Sequence, residues 1–177
     1  DAIKATYRQG GFTLSNIGIM MGGNNGSDYL DLVQKYLNSA DFWVSISTAV
    51  EKRAEFTGAP LTSDIGMYWG GKNSSAYLNS NSAYYNSSES LSMRTSLLSS
   101  RMEHCSGWLN SNLIISATGM NSSGGDMNIV DRYSYSENVW TARTYILYKK
   151  DDCGCLSFPS DLILVSGGHN TSSEEIT

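Results

Sequence analysis

The stretch "IGIMMGGNN", Ile17 to Asn25, runs apolar for a few residues and then stops on two glycines and two asparagines. It returns as "IGMYWGGKN" from Ile65, as "LIISATGMN" from Leu113 and as "LILVSGGHN" from Leu162, so that Gly23, Gly71, Gly119 and Gly168 stand 48, 48 and 49 residues apart. Self-similarity at one such period marks a repeat architecture, in which each unit buries its apolar face against a neighbour. The Gly-Gly pair (Gly22, Gly70 and Gly167 are its first members) is thus structural punctuation. It closes a strand and lets a neighbouring backbone approach where a Cβ would collide.

Each unit divides into four short strand-like pieces. In the second unit these are "RAEFTG" (Arg53 to Gly58), "IGMYWGG", "NSAYYN" (Asn81 to Asn86) and "SLSMRTSLL" (Ser90 to Leu98). Tyr36, Tyr85 and Tyr133 occupy matching places, and Trp43 and Trp140 stand seven residues after the first and last of them. In the middle unit Leu91 or Ser92 takes the tryptophan's place. A basic residue then opens the next unit: Arg53, Arg101, and Lys149 or Lys150. The pieces are four to eight residues long, rich in Ile, Val, Tyr, Trp and Ser, and bounded by Gly, Asn, Asp and Ser, which is strand-and-turn patterning. Tyr29, Leu32, Val33 and Tyr36 also fit helical offsets, but the matching "DMNIVDRYSY" alternates and is β-branched, which favours strands there too.

The order of apolar run, Gly-Gly, tyrosine, tryptophan and opening arginine resembles the kelch repeat. That resemblance implies an all-β, kelch-type β-propeller of four-stranded blades, with about three and a half blades in this chain. The units would span about 4–52, 53–100, 101–148 and, in part, 149–168 of a repeat region 1–168, with 169–177 a polar tail or the start of continuing chain. Thr118 departs from the pattern where the first glycine of a pair is expected, as does the lysine of the last unit. A propeller needs roughly four to eight blades, so three and a half leave an open end and an unpaired sheet edge. We expect the chain to continue past Thr177, or other copies to complete the assembly. A start at Asp1 without methionine fits a processed product or a piece of something longer.

A net charge of -5 and a pI near 4.9 leave no basic stripe to neutralise phosphates, which argues against a nucleic-acid partner. No apolar run approaches the roughly 20 residues of a membrane span, so membrane insertion is not expected. His104 and His169 are the only histidines, and neither has a second histidine or a carboxylate at metal-ligand spacing. No catalytic, cofactor or metal residues are assigned, and no cofactor is expected. Cys105 and Cys153 fall at equivalent places in consecutive units, and Cys153 and Cys155 share one side of a strand. A Cys105–Cys153 disulfide and a reduced buried pair both fit, and an odd total of three leaves one thiol free either way. Asn25, Asn73, Asn121 and Asn170 each open an N-glycosylation triplet in phase with the repeat, and Asn86 adds one out of phase. Asparagine and serine are also what turns between strands select.

Units of even length leave little room for catalytic insertions. This favours a non-catalytic propeller that binds a protein or a glycan through a loop face, or that builds a larger assembly. Irregular Asn/Ser/Gly-rich units of this kind are similar to repeats of phage virion, tail-associated and extracellular adhesion proteins, which implies a virion or extracellular location. The competing expectations are a propeller-scaffold enzyme, such as a galactose-oxidase-like or glycan-processing protein, and an intracellular kelch adaptor.

Overall fold

The computed structural model describes residues 6–159 and 161–170. Among these the protein is all β, without a helix. Strands β1 (Gly10–Leu14), β2 (Ile17–Met21), β3 (Leu32–Leu37) and β4 (Phe42–Thr48) form the first antiparallel sheet, in sequential order. β5 (Thr57–Pro60), β6 (Ile65–Trp69), β7 (Asn81–Tyr85) and β8 (Ser90–Arg94) form the second. The third contains β9 (Cys105–Trp108), β10 (Leu113–Ala117), β11 (Val130–Ser134) and β12 (Val139–Arg143). β13 (Gly154–Phe158) and β14 (Leu162–Ser166) make a two-stranded fourth. Each sheet lies within one sequence unit. Part of the expected tail, residues 171–177, lies outside the described residues, as do Thr171 and Ser172 of the Asn170 triplet.

The segment with helical offsets, Tyr29 to Tyr36, carries most of β3, which is joined to β4 by a turn in which the N–H groups of Ala40 and Asp41 donate to the Leu37 carbonyl. Asp41 takes a left-handed φ of 52°, and Glu89 and Asn138 do the same at the matching turns. The first strand of the second unit needs correction. It occupies Thr57–Pro60 rather than starting at Arg53, because Glu55 is left-handed (φ 56°) and breaks the ladder upstream. Only Ala54 keeps a bridge, to Lys72.

Successive sheets stack face to face. Phe12, Leu14, Ile19, Met21 and Val33 of the first pack on Phe56, Tyr68 and Tyr84 of the second unit. The opposite face of the second sheet, with Ala59, Met67, Trp69 and Ala83, packs on Ile114, Tyr133 and Trp140 of the third. The first strands lie side by side, β1 against β5, β5 against β9 and β9 against β13.

The glycines bind backbone. After β2, Gly22 and Gly23 have φ of 59° and 93°, a region L side chains avoid. The Gly22 N–H donates to the Leu32 carbonyl within its own sheet, and the Gly23 N–H donates across to the Arg53 carbonyl at 2.8 Å. The pattern repeats from Gly71 to Arg101 (2.8 Å) and from Gly119 to Lys150 (3.0 Å). This phase selects Lys150, not Lys149, as the partner of Arg53 and Arg101. Thr118 holds the glycine conformation, φ 64°, despite its β-branch.

The arginines are interior. Arg53 is fully buried, donating to the carbonyls of Gly70 and Ser80 and to Ser80 Oγ, with its guanidinium 5.1 Å from the Tyr68 ring centroid. Arg101, equally buried, pairs with Asp131.

Two predictions follow from this stacking. Gly71→Ala places a side chain at φ 88° and against the Ala54 carbonyl, so it should cost about 2 kcal/mol or more in urea unfolding. Trp140 is 3% exposed and packs at 5.6 Å on Trp69 and 5.0 Å on Tyr133, whereas Trp43 stands half-buried on the first sheet's outer face. By the same measurement Trp140→Ala should cost about 3–5 kcal/mol and Trp43→Ala about 1 kcal/mol.

Candidate functional site

Where the segments leading into the first strands come together, a cavity of about 390 Å³ is lined by Arg8, Gln9, Glu55, Phe56, Glu103, His104, Asp152 and Cys153. Four of these form one column. Arg8, Glu55, Glu103 and Asp152 each precede a first strand by two residues, and all are left-handed, with φ of 57°, 56°, 52° and 47°. In that conformation the N–H groups of the last three point to the previous unit: Glu55 donates to the Arg8 carbonyl, Glu103 to Glu55 and Asp152 to Glu103, at 3.0, 3.0 and 2.9 Å. The backbone of the four units is thereby hydrogen-bonded rung to rung, and the side chains are brought to one mouth.

Three of the four rungs are acidic. The Glu55 carboxylate is held by Arg8 and, at 2.9 Å, by the Lys72 ammonium. Among the described residues Glu103 forms no such ion pair: burial, and then the negative charges of Asp152, Glu55 and Asp151, push its carboxyl above the ordinary value, while Lys72 pulls the other way. The column can accept a proton or attract a cationic group. Among the described residues, no group of three or more His, Cys, Asp or Glu is arranged to hold a metal ion.

His104 packs under this mouth with its ring 6.4 Å from Trp69. Burial, reinforced by the charges of Arg101 and Arg53, drives its pKa well below the ordinary value, with the Trp69 backbone opposing. The ring is therefore neutral and serves packing. His169 lies apart from it, with Nδ1 3.0 Å from Asp151.

All three cysteines are free thiols that meet beside the cavity. The Cys105 sulfur contacts Cys155 at 2.6 Å, and Thr118 Oγ1 lies 3.0 Å from the Cys153 sulfur. Cys153 pulls the Cys105 thiol down, but Cys155 and burial outweigh it and push it up to about 12. Contact with Cys105, then burial, raises Cys153 as well. The sequence pairs Cys105 with Cys153, and the structure adds a direct sulfur contact from Cys155.

The in-phase asparagines have a structural task. Asn25 Oδ1 accepts from the N–H groups of Ser27 and Asp28, Asn73 Oδ1 from Ser75 and Ala76, and Asn121 Oδ1 from Ser123 and Gly125, all between 2.9 and 3.1 Å. These Asx-type turns shape the connection from second to third strand in each full unit.

The aromatic positions require one correction. Tyr36 lies opposite Gly18 and Trp43, and Tyr133 opposite Ile114 and Trp140; in the second sheet it is Tyr84, not Tyr85, that lies opposite Gly66 and Leu91. Tyr84 and Tyr133 are fully buried, while Tyr85 reaches the Tyr135 hydroxyl at 3.1 Å. The acidic column was missed in the sequence, although its spacing of 47, 48 and 49 residues repeats with the units.

No protein-family model matches the chain, and no curated protein is significantly similar to it.

Because Glu103 is raised, the native state holds that proton more tightly than the unfolded chain does. The associated stability is present below the ordinary carboxylate value and is lost as pH rises through the raised one. Glu103→Gln should therefore melt above the parent at pH 7, by less than about 1 kcal/mol after solvent screening. The difference should vanish at about pH 4 and below, as thermal melts at the two pH values will reveal.

Proposed function

We propose that the chain is a non-catalytic β-propeller module of kelch type that builds or binds within a virion or extracellular assembly. The observation that carries this reading is the side-by-side run of first strands β1, β5, β9 and β13, each opening a sheet that stacks on the last. On this reading the stacked sheets share an axis, and the cavity flanked by the acidic column opens at one end of it. The second-to-third connections recur with the same Asx geometry, which gives a common loop face for a protein or glycan partner, and Asn25, Asn73 and Asn121 are its candidate glycan acceptors. Among the described residues the corresponding connections are similar in length from unit to unit (22–31, 70–80 and 118–129 between second and third strands), which supports a structural role over a scaffold with an inserted catalytic loop. Among the described residues no helix is long and apolar enough to cross a membrane.

Elemental analysis of the purified chain, together with a peroxide-release assay on galactosides, tests the non-catalytic part. We expect no stoichiometric metal and no turnover. One copper per chain with peroxide release would establish the galactose-oxidase-like alternative instead.

A further inference from the structure

The sheets are matched to one another by an exchange of side-chain size at a single position. The third residue of each first strand faces the next sheet, where it meets the second residue of that sheet's second strand. Between the first and second sheets this pair is Phe12 and Gly66, and a Cβ on Gly66 would collide with the Phe12 ring. Between the second and third it is Ala59 and Ile114, both buried in the same cluster. Between the third and fourth it is Gly107 and Ile163, where a Cβ on Gly107 would lie 2.9 Å from Ile163 Cδ1. Large meets small, small meets large and small meets large, so each interface is filled without overpacking.

Among the described residues, the series leaves two members unmatched. On β13 the third residue is Leu156, and on β2 the second residue is Gly18. Leu156 is 55% exposed and shares its face with Leu162 and Leu164, which are 54% and 53% exposed. The counterparts of Leu156 are Phe12 and Ala59, 8% and 2% exposed, and those of Leu164 are Ile19 and Met67, 1% and 0% exposed; those of Leu162, Ile17 and Ile65, are half-buried. Around Gly18, a Cβ would meet among the described residues only the Tyr36 and Trp43 side chains of its own sheet, at 3.6 and 4.0 Å, and no ring from another sheet. Tyr36 and Trp43 stand half-buried there, while the matching Tyr133 and Trp140 are enclosed by the sheet before them.

We infer that the chain binds a second copy of itself head to tail. The Leu156, Leu162 and Leu164 face of one copy seats on the Gly18, Tyr36 and Trp43 face of the next, with Leu156 over Gly18 as Phe12 lies over Gly66. The two faces are unlike, so the contact is heterologous, and it closes into a ring or continues according to the rotation it imposes. The inference goes beyond the module reading and needs only the observed stacking; a catalytic metal would overturn that reading and leave this contact standing.

Sedimentation of the 177-residue chain from about 1 to 100 µM, bracketing a micromolar affinity, tests it. We expect a mass that rises with concentration above the 19.3 kDa of one chain. Leu156→Asp and Gly18→Asp, which each spoil one face, should both remain at the single-chain mass. An equimolar mixture of the two should regain a one-to-one complex, because each variant keeps the face the other lacks, and neither would do so if misfolded. Leu164→Asp in place of Leu156→Asp should give the same mixing result. A wild-type chain that stays monomeric throughout, self-association that survives either substitution, or variants that fail to pair when mixed would each overturn the inference.

Discussion

The stacking of the sheets depends on one hydrogen bond per interface, from the N–H of the second glycine to the carbonyl of the basic residue that opens the following unit. Gly23 to Arg53, Gly71 to Arg101 and Gly119 to Lys150 are three instances of one link. Its geometry requires two successive left-handed residues at the end of each second strand. Only glycine takes up that conformation without cost; at Thr118 the surroundings impose it on a β-branched residue. Once the link is made, the chain has been carried from one sheet to the next and the basic side chain is committed to the interior. There Arg53 and Arg101 satisfy carbonyls, a serine or an aspartate instead of facing solvent.

The second device is the left-handed rung. Glu55, Glu103 and Asp152 donate backward to the carbonyls of Arg8, Glu55 and Glu103 while the glycine links run forward, so each interface is tied twice, in opposite directions, just ahead of a first strand. A backbone ladder places no demand on side-chain type, yet three of the rungs are carboxylates facing one cavity. Arg8 and Lys72 pair with Glu55, while burial and then the neighbouring carboxylates raise Glu103. A backbone strained at four in-phase positions, with like charges gathered on it, costs stability. The stacked cores must supply that stability, and fully buried Trp69, Tyr68, Tyr84 and Tyr133 are where they do so.

Much of the fold was legible in the sequence because it depends on local backbone chemistry. Apolar runs, a Gly-Gly stop and an Asn turn are local features, and they located the sheets within their units and the strands to within a few residues. What the sequence hid depends on register between sheets. Unit spacing alone points to Tyr85 as the partner of Tyr36 and Tyr133, because it keeps that spacing within one residue. Counting instead from the second glycine, Tyr84 follows Gly71 by 13 residues as Tyr36 follows Gly23, and only pleat alternation distinguishes the buried face from the next one. The first strand of the second unit was drawn too early for a related reason. A left-handed glutamate at Glu55 has no side-chain signature, since glutamate is common in every kind of segment.

The variation among the repeats follows from the same stacking. If every unit had the same residue at the facing positions, two large side chains would collide at each interface or two small ones would leave a void; either defect costs about 1 kcal/mol or more. Pairing Phe12 with Gly66, Ala59 with Ile114 and Gly107 with Ile163 avoids both, but only if neighbouring units differ. Divergence between units is thus a requirement of stacking rather than decay of a repeat. It also fixes the order of the sheets, since exchanging the second and third units would set Phe12 against Ile114. The backbone links keep the period regular while the side chains between them must alternate in size, and so the glycines, asparagines and turn residues repeat more faithfully than the core they position.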